Sequence, residues 1–214
     1  MSQHSDEERQ AGKLILSQLK MFNEAVVYFE QHLIPAFWKG FDQCVERFIK
    51  DNNWAGKSNY EHQEYCWLAH PGWVIEGVNC KCWFENSSTV SRRDDYVLAV
   101  LTGTGTVQGK FGFEFKLDGG YFGGVKKIAS YANNLQQSCR EELHRLELED
   151  HGKGNYFIPV TIDPGVLAEC WADFGEFPPE HEVFSPLRAV LDKLLQSTET
   201  LDAIFLSEDL VSES

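Results

Sequence analysis

Residues 111–117, Phe-Gly-Phe-Glu-Phe-Lys-Leu, set Phe111, Phe113, Phe115 and Leu117 on one parity and Gly112, Glu114 and Lys116 on the other. Successive side chains of a strand point to opposite faces, so the run describes a strand with one wholly apolar face and one polar face. An aromatic face of that kind has to be covered. It commits the chain to a layered fold in which other elements pack against a sheet. With 43% apolar and 13% aromatic residues in 214, the chain has the material for one full core, and its length favours one domain.

The elements around that strand follow from periodicity. Leu19, Phe22, Val26, Phe29 and Leu33 keep helical spacing, and after Pro35 the pattern resumes at Phe37, Phe41, Cys44, Val45 and Phe48. This predicts two helices, or one kinked at Pro35, because an interior proline removes a donor and clashes with the preceding turn. Residues 51–60, rich in Asn, Gly and Ser, read as a loop. Residues 73–85 alternate, with Val74, Val78, Cys80, Cys82 and Phe84 on one parity, and predict a strand bent at Gly77. Residues 96–102 are apolar on both parities, which predicts a central strand, antiparallel to 111–117. A helix over 125–149 would bury Ile128, Ala132, Leu135, Cys139, Leu143 and Leu146.

A last strand, 156–162, contains Pro159, expected at an edge or a bulge. Asp163-Pro164 and Ser185-Pro186 are start signals for two further helices, the second burying Leu187, Val190, Leu191, Leu194 and Leu195. The expectation is a single α+β or α/β domain over 11–206. Its α-β-β-β-α-β core holds a mixed sheet flanked by helices and is followed by a helical C-terminal tail. Residues 1–10 and 207–214 are expected to be disordered polar and acidic ends.

Charge is unevenly placed. Residues 163–214 hold 12 acids against 2 bases, whereas residues 1–162 hold 21 against 17. Such a block repels nucleic acid and steers toward a basic partner. Glu169, Asp173, Glu176, Glu180 and Glu182 are the candidate partner-binding residues. There is no apolar run long enough to span a bilayer, and residues 1–10 are polar and lack the apolar stretch of a secretory signal, so a cytoplasmic protein is expected. The six scattered cysteines fit reduced thiols there. Cys80-Lys81-Cys82, with Cys66 and His70 upstream, lacks the Cys-x-x-Cys knuckle of structural zinc sites and reads as buried thiols. Gly-Gly-Tyr-Phe-Gly-Gly at 119–124 fits neither phosphate-binding fingerprint. The aromatic cluster Tyr60, Tyr65, Trp67, Trp73, Trp83 and Phe84 reads mainly as core, with some tryptophans as interface anchors.

The order of elements, with Glu114-Phe115-Lys116 on the third strand and Asp95 at the head of the second, resembles the PD-(D/E)xK nuclease-like superfamily over residues 23–162. That resemblance implies Asp95 and Glu114 as ligands of Mg²⁺ or Mn²⁺ and Lys116 as the catalytic group that positions water, with Asp94 a substitute for Asp95 and Glu24 or Glu30 a fourth member. The pattern is incomplete: Arg92, Arg93 and Asp94 stand where the proline precedes the aspartate. A small basic group, Arg92, Arg93, Lys110, Lys116, Lys126 and Lys127, would have to offset the acidic block for such an enzyme to hold a polyanion. The first reading is therefore an acidic, non-catalytic binding or inhibitor protein on a nuclease-like scaffold, without a cofactor. It would dock a basic protein in the manner of a toxin-neutralising immunity protein or a phage inhibitor of host defence. The second reading is a Mg²⁺-dependent nuclease hydrolysing phosphodiester bonds.

Overall fold

A computed structural model describes residues 4–90, 95–133 and 135–206. The chain opens with helices α1 (Asp6–Ser17) and α2 (Leu19–Tyr28), a single π turn (Phe29–Leu33) and helix α3 (Ile34–Asp51). Helix α1 starts inside the segment expected to be disordered. Ser5 and Glu8 form a reciprocal capping box, the Glu8 amide donating to Ser5 Oγ at 3.2 Å and the Ser5 amide to Glu8 Oε2 at 2.6 Å. The disturbance expected at Pro35 is absorbed upstream by the π turn, which leaves the proline in the first turn of α3 where its missing donor costs nothing.

Next come strand β1 (Ala55–Asn59), the short helix α4 (Tyr60–Gln63), and strands β2 (Tyr65–Ala69), β3 (Val74–Glu76), β4 (Asn79–Cys80) and β5 (Cys82–Ser88). The segment read as one bent strand over 73–85 is thus a two-stranded hairpin turning at Gly77, whose φ is 59°, followed by β5. Helix α5 (Val97–Leu101), strand β6 (Phe111–Leu117), helices α6 (Val125–Asn133) and α7 (Gln137–Arg145), strands β7 (Glu149–Gly152) and β8 (Asn155–Val160), and helices α8 (Pro164–Phe174) and α9 (Ser185–Phe205) complete the chain. The single helix expected over 125–149 is therefore two helices and the start of β7. Ile128, Ala132, Leu143 and Leu146 of its predicted stripe are nonetheless buried.

Six strands form one sheet in the order β1-β2-β5-β6-β8-β7, and every neighbouring pair is antiparallel, so the α+β architecture carries an antiparallel rather than a mixed sheet. The core face presents Leu68, Phe84, Phe111, Phe113, Phe115, Tyr156 and Ile158, all buried. Helix α3 covers one half of it, with Phe41 stacked on Phe113 at 6.4 Å and Trp38 against Phe111 at 5.8 Å. Phe205 of α9 meets Phe115 at 5.6 Å on the other half. Buried Asp42 of α3 ties the helix to the β1–α4 corner by accepting from Ser58 Oγ at 2.5 Å and from the amides of Tyr60 and Glu61 at 2.8 and 3.0 Å. Gly112 lets β8 approach: a Cβ there would lie 2.0 Å from the Ile158 carbonyl oxygen. Pro159 faces Gly112 beyond the last residue that β7 pairs with β8, so on its outer side it is an edge residue, as expected.

The segment expected to be a central strand, 96–102, is instead helix α5. Both neighbours of β6 are already assigned, β5 on one side and β8 on the other, so no place beside it remains. A short run apolar in both parities buries equally well as a helix, and Leu98, Val100 and Leu101 do so.

Candidate functional site

The second face of the sheet is built from the opposite parity of the same strands. One residue from each strand forms a continuous row, Lys57, Trp67, Glu85, Glu114, Phe157 and Glu149. Glu85 and Glu114 are direct cross-strand partners. Lys116 reaches between them, 2.6 Å from Glu114 Oε2 and 3.8 Å from Glu85 Oε1. Trp83, opposite Lys116 in the ladder, donates its indole N–H to Glu85 Oε2 at 3.0 Å. His151 stacks on Phe157 at 5.0 Å with Nδ1 3.8 Å from Glu114 Oε1. Glu114 is the most enclosed of these charges, with its side chain 13% exposed.

The structure thus joins Glu114 and Lys116 on one face, as their spacing requires, and adds Glu85. Parity held the signal for Glu85, which alternates with the core residue Phe84. Asp95 is engaged elsewhere. Its Oδ1 accepts from the amide and hydroxyl of Thr106, both at 2.8 Å, and its Oδ2 accepts from the Val107 amide at 2.8 Å. Those bonds, the Thr106 amide first, hold its carboxyl below the ordinary carboxylate value. Asp95 therefore clamps the loop leading into β6. The other expected ligands have their own partners: Glu24 lies 3.7 Å from Lys20, and Glu30 accepts from the Tyr96 hydroxyl at 2.8 Å. Among the described residues no three His, Cys, Asp or Glu side chains converge as metal ligands would. A carboxylate saturated by a loop and two others bridged by a lysine do not fit a divalent cation in this arrangement.

Asp94, Arg92 and Arg93 lie outside the described residues. Of the other basic residues, Lys110 is drawn to Glu149, with its ammonium 2.6 and 2.8 Å from the two oxygens. The cysteines are free thiols. Burial pushes Cys66 up to about 12 and Cys44 to about 11, and raises Cys82 further. Of the aromatic cluster, Tyr60, Trp73 and Phe84 are core, whereas Tyr65, Trp67 and Trp83 line an open groove of about 700 Å³ with Ile75, Val78 and Glu85.

The five acidic residues singled out from the sequence lie on α8 and on the segment that follows it. Asp163 caps α8 by accepting from the amides of Gly165 and Val166 at 2.7 and 3.0 Å, and Gly175 ends it in the left-handed region at φ 65°. Glu169, Asp173, Glu176, Glu180 and Glu182 are all exposed. Only Glu180 of the five is in an ion pair among the described residues, 3.5 Å from Arg47. Arg188 fixes the loop beneath them, donating to the carbonyls of Pro179 and His181 at 2.7 and 3.1 Å. Phe174, the last residue of α8, is 55% exposed, with its ring 5.4 Å from that of His181. Residues 163–182 hold six acids and neither lysine nor arginine.

No helix among the described residues is long and apolar enough to cross a membrane. Comparison of the chain with protein-family models, with curated proteins and with solved structures finds no significant match.

Proposed function

We propose that this chain is a non-catalytic acidic binding protein whose α8 surface docks a basic protein. The observation that carries the reading is the set of five exposed carboxylates on a segment without lysine or arginine, which also exposes the ring of Phe174. An exposed aromatic on a segment whose own charges are all acidic suits a partner of the opposite sign, the carboxylates steering encounter and the ring supplying contact area. The Arg188 bonds hold the loop in place before binding, which lowers the ordering cost on association. A basic toxin, or a defence complex that itself grips nucleic acid, is the kind of partner this charge would neutralise or occupy.

The test compares wild type with a variant neutralised at Glu169, Asp173, Glu176, Glu180 and Glu182 (Glu→Gln, Asp→Asn). The expected result is a basic partner that wild type retains and releases with rising salt, and that the variant and Phe174→Ala both lose. Retention by the neutralised variant with the same salt dependence defeats the reading.

The second reading, a Mg²⁺- or Mn²⁺-dependent nuclease, rests on Glu114 and Lys116 sharing a face beside Glu85. It requires Asp95 to leave its loop. Selective broadening of Glu85 and Glu114 resonances by Mn²⁺, abolished in Glu114→Ala, would favour it over the binding protein.

A further inference from the structure

Helices α1 and α2 bury no residue. They carry nine of the large exposed apolar side chains, including Leu16 at 70%, Leu14 at 59%, Leu19 at 57% and Met21 at 56%. Proteins stabilise most helices by packing an apolar face, and helices this short are marginal in water alone. At roughly 100 Å² apiece the nine expose on the order of 900 Å² per chain, spread over more than one face of the two helices, against the ~800 Å² that each partner contributes to a standard stable interface. A monomer rarely leaves so much apolar surface open on two neighbouring helices.

Within α2, Leu19, Phe22 and Val26 recur at spacings of three and four, the spacing of a two-helix seam. The root of the arm is anchored: Tyr28 meets Trp171 edge-on at 6.4 Å and Phe29 meets Tyr96 at 5.1 Å. Charge narrows the occupant. Residues 1–28 hold four acids and three bases, net −1, while the rest of the chain carries −13. The arm is therefore the surface on which two copies meet with least repulsion. It also has too few basic residues, and too acidic a first turn at Asp6, Glu7 and Glu8, to be drawn to an anionic lipid surface.

We infer that two copies of the chain pair through their N-terminal helices, with the Leu19–Phe22–Val26 stripe of α2 as the seam. The arms run antiparallel, because parallel pairing would set the two Asp6-Glu7-Glu8 turns side by side and bring the two acidic bodies together.

Light scattering on the full chain at micromolar concentration tests this. Wild type is expected at twice the 24.4 kDa chain mass, and Leu19→Glu/Phe22→Glu at the chain mass with the near-ultraviolet circular dichroism of the aromatic core unchanged, since neither residue is buried in the single chain. Lys20→Glu makes the same change of charge off the stripe and is expected to stay dimeric. A wild-type monomer, a wild-type assembly larger than two, or a dimer that survives the double substitution overturns the inference. So does a wild-type monomer that binds anionic vesicles. Small-angle scattering checks orientation: an elongated dimer with two separated bodies is expected, and a compact one overturns the antiparallel arrangement.

Discussion

Glu85 and Glu114 face each other across the β5–β6 ladder, and the Lys116 ammonium lies between them. Like charges directly opposite on a sheet are destabilising, so the lysine is the counter-ion that makes the pair tolerable. In Lys116→Met the two carboxylates are expected to repel and to lower stability by about 1 kcal/mol, the partial exposure of all three groups keeping the cost small. Adding Glu85→Gln should restore most of it. Urea unfolding of the single and double variants checks this, and an unchanged midpoint in Lys116→Met refutes it.

Asp42 carries a larger share of stability. Its removal in Asp42→Ala leaves the Ser58 hydroxyl and the Tyr60 and Glu61 amides without their acceptor in a buried corner. A loss of about 3 kcal/mol is expected, since unsatisfied buried donors cost about 1–3 kcal/mol each and the corner relaxes in part. Ser58→Ala removes one donor and leaves the acceptor served by two amides. Its cost should be about 1 kcal/mol in the same denaturation experiment.

The Asp95 clamp has a pH signature. Its carboxyl is held below the ordinary 3.8, so the stabilisation is present above that value and fades only as pH falls through the lower folded value. The amide resonances of Thr106 and Val107 should therefore hold steady in an acid titration until the pH is below 3.8. In Asp95→Ala the same two amides should exchange at least about tenfold faster while the global unfolding midpoint barely moves, because the loop opens locally.

The buried thiols predict alkaline sensitivity. Cys44 and Cys66 titrate at about 11 and about 12 in the fold against an ordinary 9.0, so the neutral form is favoured by folding. That contribution is complete below pH 9.0 and declines as pH rises toward the folded values. Chemical denaturation should show the fall beginning near pH 9.0. In Cys66→Ala the fall should be shallower. At neutral pH a thiol reagent should label Cys139 fast, the one cysteine that is not buried, and reach all six only in denaturant.

Much of the architecture is local and therefore legible in the chain itself. The parity of 111–117 specified β6 and its core face. The Asp163-Pro164 and Ser185-Pro186 pairs marked the starts of α8 and α9, and the spacing from Phe37 to Phe48 marked α3. Each depends on periodicity or capping within a few residues. The five acids of the α8 surface were legible for the same reason, since they lie within one short stretch of chain.

What depended on the neighbours of an element was not legible. Residues 96–102 have no intrinsic preference between a buried strand and a buried helix, and the places beside β6 went to β5 and β8. Residues 55–59 and 65–69 carry too little alternation to declare themselves, and they become strands because β1 pairs with β2 and β2 with β5. The register of β5 on β6 brought Glu85 to Glu114, and the helical turn at α5 left Asp95 to the 105–107 loop. Which residues share a face is written within each segment, because side-chain alternation and helical spacing are local. Which faces meet is settled in the folded chain, because strand order, register and burial come from competition among segments far apart in the sequence.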